Sequence, residues 1–355
     1  MTTDTLTLPM PDDAHVHLRD GEALQAVAAA TAAQFARAVV MPNLRPPVRT
    51  LADALAYRER ILAALPAGTR FEPLMTLYLT EQTDPRAMAA ARAGGVFGCK
   101  LYPAGATTNS DAGVRDLARV DEVLAAMAEA GLPLLVHGEV TDAEVDIFER
   151  EQVFLEGTLA PLVQRHPTLR VVLEHVTSAA GVRFVEQARP GVAATLTAHH
   201  LLLDRNAMLA GGIRPHLYCL PILKTRADRE ALLAAATSDS PRFMLGTDSA
   251  PHEVSTKESA CGCAGSYTAP VALQLYAEAF DSVGALDRLA AFASTRFADF
   301  HGLPHNPGTL RLVRDHVPVP AALPFGDGTD GPLRVRPFRA GEAVGWRVEQ
   351  SVDAN

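Results

Sequence analysis

Asp13-Ala14-His15-Val16-His17-Leu18-Arg19 is the stretch of this sequence that decides the fold. It closes a short apolar run over residues 6–15, which predicts a β-strand. Side chains two residues apart in a strand point to the same face. His15 and His17 can therefore hold one metal ion together, because imidazole is a common metal ligand. Arg19 would follow on that face, placed to bind an anion beside the metal.

Apolar runs of similar length recur along the chain and alternate with alanine-rich stretches. Eight strands with intervening helices favour a parallel α/β sheet. We predict strands at residues 6–15, 37–42, 71–79, 96–101, 132–137, 170–175, 192–196 and 243–248. We predict helices at residues 22–34, 51–65, 85–93, 116–130, 226–236, 271–280 and 287–300.

Polar residues with metal-binding or substrate-binding chemistry stand at the carboxyl ends of these strands. They are His15, Asn43, Lys100, His137, His175 and Asp248. In a TIM barrel that end carries the active site, and core packing does not explain so many coincidences. We therefore predict an α/β fold of the TIM (β/α)8 barrel type over residues 1–304. The Pro- and Gly-rich remainder, residues 305–355, predicts a small β extension packed on the barrel.

Composition narrows the range of functions. The 355 residues suit one large α/β domain or two average ones, and 48% apolar residues can form a large core. A net charge of −9 without a basic run argues against nucleic acids and anionic membranes as partners. No apolar run approaches the roughly 20 residues of a membrane span. The first residues lack the pattern of a signal peptide, so we expect a cytoplasmic protein.

Asp248 and Lys100 each have two interpretations. A carboxylate after a strand can cap the next helix, whereas beside metal-bound water it can ligate one ion and carry a proton. A protonated lysine has no lone pair for a metal. Lys100 therefore either pairs with an acid or reaches solvent, or its neutral amine has reacted with carbon dioxide to give an anionic carbamate ligand.

Three other features stay ambiguous in the sequence. His199 and His200 end the seventh strand, where carboxylates or arginines could satisfy them as well as a metal. Cys261-Gly262-Cys263 lacks the spacing of a Cys-x-x-Cys zinc site, which favours plain thiols. Residues 103–110 are small and polar and follow Lys100, so they form either a solvated loop or a lid.

Together the motifs resemble the amidohydrolase superfamily and, within it, the short, stand-alone bacterial dihydroorotases. The motifs DAHVHLRD and GTDSAPH are general to the superfamily, whereas GATTNS, YCLPILK and CGCAG are more specific to these enzymes. The resemblance rests on DAHVHLRD, VVMPNL, GCKLYPAGATTNS, LVHGE, LEHVTS, TAHHL, YCLPILK, GTDSAPH and KESACGCAG, in this order between residues 13 and 265.

The resemblance implies two Zn²⁺ ions per chain, bridged by an N6-carboxylysine at Lys100. The first ion would be held by His15, His17, Lys100 and Asp248. The second ion would be held by Lys100, His137 and His175. Sites of imidazole and carboxylate also accept manganese or cobalt, so the metal in the cell stays open.

The resemblance also implies a reaction, the reversible hydrolysis of (S)-dihydroorotate to N-carbamoyl-L-aspartate in pyrimidine synthesis, with Asp248 as the catalytic proton carrier. Thr107 and Thr108 would lie on a mobile lid, and the chain would form a homodimer. The substrate contacts would come from Arg19, Asn43 and His252 at the carboxylate, from Leu220 and Ala264 at the ring, and from His17 and His137. The alternatives are another cyclic amidase, such as a hydantoinase or allantoinase, and a non-catalytic barrel that assembles with partner proteins.

Overall fold

The sequence predicts one strand over residues 6–15, whereas the structure has two strands in this region. They are β1 (Thr5–Pro9) and β2 (Asp12–Val16) in the computed structural model, which describes residues 4–329 and 331–350. Pro9 and Pro11 lie at the junction, and a proline has no backbone N–H to donate to a strand ladder. The chain therefore leaves one sheet at β1 and enters another at β2.

Eight parallel strands follow one another around a barrel in chain order. Hydrogen bonds next to the last strand close the ring, since Asp248 N donates to His15 O at 2.9 Å and His17 N donates to Ser249 O at 3.1 Å. The prediction of a TIM barrel is confirmed. After β2 the barrel strands are β3 (Arg37–Val40), β4 (Glu72–Tyr78), β5 (Gly98–Leu101), β6 (Leu134–His137), β7 (Val171–Glu174), β8 (Val192–Leu196) and β9 (Phe243–Leu245).

Helices surround the barrel, and among the described residues none is long and apolar enough to cross a membrane. The predicted helix at 116–130 begins as a 3₁₀ turn, Leu117–Val120, and the one at 287–300 contains a π-helical turn, Ala291–Thr295. The helices are α1 (Gly21–Ala32), α2 (Leu51–Ala64), α3 (Met88–Ala93), α4 (Asp121–Ala130), α5 (Arg150–Phe154), α6 (Ala160–Arg165), α7 (Ala179–Gln187), α8 (Ala198–Leu202), α9 (Arg205–Leu209), α10 (Arg226–Ala236), α11 (Val254–Lys257), α12 (Ala272–Asp281) and α13 (Arg296–His301).

A small β structure follows the barrel. β10 (Thr309–Pro318) pairs with both β1 and β13 (Ala343–Gln350) in an antiparallel sheet, and β11 (Leu323–Gly328) pairs with β12 (Gly331–Val335). Gly345 N donates to the α12 carboxylate Glu278 at 2.8 Å, and Asp327 N donates to Glu22 of α1 at 2.6 Å. These contacts fix the C-terminal strands to the outside of the barrel.

The barrel interior changes character along its axis. Leu135 on β6 and Val172 on β7 belong to a buried apolar cluster inside the ring. Two residues further along each strand, on the same face, stand His137 and Glu174. The apolar layer thus supports a polar layer directly above it, at the carboxyl ends of the strands. The other members of the apolar layer include Ala14, Val39, Phe97, Ala193 and Met244.

Candidate metal centre and active site

A pocket at the carboxyl end of the barrel brings together most of the residues predicted from the sequence. Lys100 lies below it, fully buried, and His252 contacts Arg19 at its edge. Tyr102, Ala250 and Gly265 also line the pocket. The predicted residues in its wall are His15, His17, Arg19, Asn43, Thr107, Thr108, His137, His175, Leu220, Asp248 and Ala264.

The first group of candidate ligands consists of His15, His17 and Asp248, which we call the pocket cluster. The two Nε2 atoms lie 3.2 Å apart, and Asp248 Oδ1 lies 3.3 Å from that of His15 and 3.1 Å from that of His17. The other nitrogen of His15, Nδ1, lies 3.0 Å from Glu174 Oε1. A carboxylate at one imidazole nitrogen fixes the ring and leaves the other nitrogen to a metal. The donor atoms therefore fit a divalent cation.

The charged groups of the pocket cluster shift one another's pKa values. Burial acts to lower the pKa of His15, yet Glu174 and Asp248 together raise it to about 9. Burial lowers the pKa of His17 to about 4. Burial would raise the pKa of Asp248, but the neighbouring His15 and His17 hold it well below its usual value. Asp248 is therefore ionised at neutral pH, and its carboxylate can serve as a ligand for a cation.

The second group of candidate ligands surrounds Lys100. Its amine forms an ion pair with Glu174 and lies 4.9 Å from the centre of the Tyr102 ring. Burial lowers the pKa of Lys100, whereas Glu174 acts in the opposite direction. The structure thus shows the pairing with an acid that the sequence left open. The rings of His137 and His175 lie beside this lysine, with their centres 4.9 Å apart.

His137 and His175 each keep a nitrogen for a further ligand. His137 Nε2 lies 2.7 Å from Glu139 Oε2, which leaves its Nδ1. His175 Nδ1 is buried and has no hydrogen-bond partner in the described part of the chain. Burial holds the pKa of His175 well below its usual value, so the ring is neutral. Neutral imidazole is the form that binds metal.

Several buried carboxylates that support these residues were missed by the sequence analysis. Glu174 directly precedes His175 and Glu139 follows His137 by two residues, so a carboxylate next to a strand-end histidine is the signal that could have found them. Asp13 accepts hydrogen bonds from Thr247 N at 2.8 Å, from Thr247 Oγ1 at 2.6 Å and from His15 N at 3.1 Å. It joins the first and last barrel strands next to the pocket cluster.

Arg19, with His252 and Asn43 next to it, forms a positively charged part of the pocket beside the pocket cluster, which we call the cationic corner. Arg19 Nη2 lies 3.0 Å from His252 Nε2, and Arg19 Nε donates to Pro251 O at 2.8 Å. Burial lowers the pKa of His252 to about 2, so its ring is neutral. The same Nε2 lies 2.9 Å from Ala264 O, which only accepts, so Nε2 carries the proton and donates to this carbonyl. Asn43 also lines the pocket and donates to Thr108 O at 3.1 Å. The corner can bind an anion through one fixed positive charge.

The loop over residues 103–110 lies against the pocket. Thr107 N donates to Ser110 Oγ at 2.8 Å, and that hydroxyl donates back to Thr107 O at 2.5 Å. Thr108 Oγ1 lies 3.5 Å from Ala264 O across the pocket mouth. Asn109 takes a left-handed conformation with φ 57° and donates to Asn43 O at 3.1 Å. In this conformation the loop covers one side of the pocket.

A further group of metal-type residues, His199, His200 and Cys219, lies outside the pocket wall and is called the second cluster. His200 Nδ1 lies 2.7 Å from Thr197 Oγ1, and its Nε2 lies 3.0 Å from Pro221 O. All four cysteines are free thiols, as interpreted from the sequence, and Cys261 is exposed on its loop. Cys261 and Cys263 join no group of potential metal ligands among the described residues.

Comparison with known proteins places this site in a family. The Amidohydrolase family matches residues 12–312. A dihydroorotase from Cupriavidus taiwanensis is 61% identical over 347 residues, which is 98% of this chain and 99% of the relative. The crystal structure of dihydroorotase from Campylobacter jejuni superposes with a TM-score of 0.89 at 35% identity, covering 99% of both chains.

A yeast structure agrees with this grouping. Dihydroorotase from Saccharomyces cerevisiae, solved in complex with 5-fluoroorotic acid, has a TM-score of 0.89 at 31% identity and covers 98% of this chain and 99% of its own. Identity and coverage of this extent extend beyond the barrel to the C-terminal strands. The chain therefore belongs to the amidohydrolase family and, within it, to the dihydroorotases.

Proposed function

We propose that this protein catalyses the reversible hydrolysis of (S)-dihydroorotate to N-carbamoyl-L-aspartate, as a step of pyrimidine synthesis, with two zinc ions. The observation that carries the proposal is the placement of Arg19 in the same pocket wall as His15, His17 and Asp248. A metal-type cluster suits amide hydrolysis, and the arginine suits a substrate that also bears a carboxylate.

Two cations would be held by the residues described above. His15, His17 and Asp248 would hold the first, and His137 and His175 would hold the second. When bound, zinc polarises a carbonyl and lowers the pKa of a water molecule to about 7. Glu174 and Glu139 would keep the rings of His15 and His137 in place, as carboxylates next to metal-binding histidines do.

Lys100 would link the two metal positions as a carbamate. Carbon dioxide reacts with a neutral amine, and burial favours the neutral form of this lysine. The modification would exchange the ion pair with Glu174 for metal ligation. Glu174 would keep its other contact, at 3.0 Å from His15 Nδ1.

Asp248 would carry the proton of the reaction. Its carboxylate is ionised, because His15 and His17 hold its pKa well below the usual value. An ionised carboxylate can accept a proton from the attacking water and return it to the leaving amide nitrogen. In ring closure the same carboxylate would accept the proton from the attacking amide nitrogen and return it to the oxygen that leaves as water.

Substrate orientation would come from the cationic corner and from two loops. Arg19, with Asn43 and His252 beside it, would bind the carboxylate of dihydroorotate. The backbone near Leu220 and Ala264 would hold the ring, and His17 and His137 would contact the substrate from the metal side. Local positive charge explains how a chain with net charge −9 can bind an anion.

One assay tests this proposal against its nearest alternative. Purified protein loaded with zinc should hydrolyse dihydroorotate much faster than hydantoin or allantoin, because neither of these carries the carboxylate that the Arg19 corner fits. Preference for hydantoin or allantoin would support another cyclic amidase. Absence of bound zinc by elemental analysis, together with absence of turnover, would support a non-catalytic barrel.

We also propose a homodimer and a cytoplasmic location. Both rest on the resemblance to the short bacterial dihydroorotases. Light scattering on the purified protein tests the assembly, since the homodimer should show twice the mass of one chain. Fractionation of the source cells tests the location.

A further inference from the structure

We propose that Lys257 is a positioning residue, which fixes the two loops that present Leu220 and Ala264 to the substrate ring. This inference rests on the proposed function, because it concerns how the same pocket holds its substrate. Lys257 is the last residue of α11, and only 2% of its surface is exposed to solvent. It lies outside the pocket wall and takes no part in the metal centre or in the cationic corner.

The amine of Lys257 contacts three backbone carbonyls. Nζ donates to Tyr218 O at 2.7 Å, to Cys263 O at 2.7 Å and to Gly265 O at 2.9 Å. A protonated amine has three donors and no acceptor. These three bonds therefore use its whole hydrogen-bonding capacity.

The three carbonyls belong to the segments that carry the two pocket residues. Tyr218 precedes Leu220 by two residues, and the other two carbonyls stand on either side of Ala264. Leu220 and Ala264 both line the pocket. One buried ammonium thus sets the distance between the two backbone segments that would hold the ring.

A cation is required at this point because three carbonyl oxygens converge there with their negative ends together. One backbone bond, from Gly265 N to Tyr218 O at 3.0 Å, also joins the loops. Removal of the ammonium would leave Cys263 O and Gly265 O without this donor in a buried site, which is unfavourable for a buried carbonyl. The loops would then separate, and the groups that hold the ring would lose their spacing.

Two substitutions separate this role from a purely electrostatic one. Lys257→Met removes the charge and keeps the length of the side chain, whereas Lys257→Arg keeps the charge. The planar guanidinium does not direct three donors at three converging oxygens as a tetrahedral ammonium does. Loss of binding that is uniform between substrate and transition state raises KM at unchanged kcat, so we expect KM for dihydroorotate to rise about tenfold in Lys257→Met and several-fold in Lys257→Arg.

The matched control is Lys224→Met. Lys224 is also buried, and it donates to a single carbonyl, Ile222 O at 3.2 Å. This control makes the same chemical change without touching the three converging carbonyls, so KM should stay within about twofold of the original value. Zinc content should equal that of the unmodified protein in all three variants.

Each outcome decides the inference. An unchanged KM in Lys257→Met overturns it, and an unchanged KM in Lys257→Arg shows that charge alone acts and overturns it as well. If Lys257→Met does not fold, Lys257→Arg decides by the same criterion. Hydrogen exchange over residues 217–222 and 261–266 should become faster in both variants whether or not the protein turns over dihydroorotate. Absence of turnover in the unmodified protein would count against the proposed function, whereas unchanged exchange would count against Lys257.

Discussion

The pocket cluster and the second cluster have nearly the same composition but differ in how their nitrogens are used. Both place donor atoms of three residues within 4.8 Å of one another, and both are buried. In the pocket cluster, the Nε2 atoms of His15 and His17 face each other at 3.2 Å. In the second cluster, His200 contacts the Thr197 hydroxyl through Nδ1 and the Pro221 carbonyl through Nε2.

Similar spacing of the donor atoms therefore goes with different hydrogen bonding of the ring nitrogens. A neutral imidazole has one donor and one acceptor nitrogen. A carbonyl oxygen only accepts, so His200 Nε2 carries the proton and its Nδ1 lone pair is used by the Thr197 hydroxyl. His15 Nδ1 lies 3.0 Å from Glu174 Oε1, and its Nε2 lies 3.2 Å from His17 Nε2 at the pocket. The pocket cluster is therefore distinguished by nitrogens that face the pocket, whereas both nitrogens of His200 contact the protein packed around them.

The largest expected effect follows from Lys100→Ala, which tests whether metal binding depends on the residue between the two ligand groups. If a carbamate on Lys100 bridges the two ions, as proposed, its removal should abolish tight metal binding at one position or both, and turnover with it. Elemental analysis after gel filtration measures the metal. The control Lys224→Ala removes another buried lysine and should keep two ions. Two tightly bound ions with normal turnover in Lys100→Ala would exclude the carbamate role.

Asp248→Asn addresses the chemistry of the pocket cluster without a change in its shape. An amide neither accepts nor returns the proton, and general acid–base catalysis contributes about 10²–10⁴-fold. We expect kcat to fall by that order while circular dichroism shows the native fold. The corresponding change in the second cluster, Cys219→Ser, should leave kcat nearly unaltered. A kcat for Asp248→Asn within about threefold of the original would remove Asp248 from the mechanism.

Arg19→Met separates substrate binding from metal binding within the pocket. Loss of the guanidinium removes the charge partner of the substrate carboxylate, and a charge-assisted hydrogen bond contributes about 1.5–3 kcal/mol. KM for dihydroorotate should therefore rise by about 10- to 100-fold, while both zinc ions remain. A neutral analogue without the carboxylate should be affected little. An equal rise in KM for both compounds would contradict the role given to the cationic corner and favour a hydantoinase-like protein.

Thr107→Ala combined with Thr108→Ala tests the loop over the pocket. If the loop closes over substrate and its hydroxyls contact the transition state, kcat/KM should fall about 10-fold or more without a change in zinc content or in thermal unfolding. Hydrogen exchange over residues 103–110 should become slower when a dihydroorotate analogue binds. Unchanged exchange together with unaltered kinetics would show that the segment is only a connection.

Much of this arrangement could be predicted from the sequence because it depends on local patterns. Alternating apolar runs identified all eight barrel strands, and the residues that end them identified the pocket. The strand predicted at 6–15 was wrong in one respect, since prolines 9 and 11 divide it between two sheets. A proline in a strand pattern could have indicated that boundary.

The supporting hydrogen bonds could not be predicted in the same way. Asp13 and Thr247 are 234 residues apart in sequence, and the contact between Lys100 and Glu174 spans 74 residues. No local period encodes such pairs, because they exist only once the barrel has closed. The sequence therefore predicts where ligand-type side chains collect, whereas the closed barrel determines which of their nitrogens stay free.

The smallest expected effect concerns His199, the member of the second cluster whose two ring nitrogens are both buried and have no hydrogen-bond partner within the described residues. Burial lowers the pKa of His199 to about 4, so the ring is neutral at physiological pH. His199→Leu replaces a ring with two unsatisfied polar atoms by an apolar side chain. Relief of buried unsatisfied groups should raise the free energy of unfolding by about 1 kcal/mol, measured by urea denaturation.

The metal content of His199→Leu decides what the second cluster does. If the cluster is only a packed part of the protein, zinc stays at two ions per chain and kcat is unchanged, because the pocket cluster keeps all its ligands. His15→Leu is the matched change in the pocket cluster and should lose metal. A third ion in the unmodified protein that disappears in His199→Leu would mean that Thr197 and Pro221 give up their contacts with His200. Lone-pair occupancy would then not distinguish the two clusters.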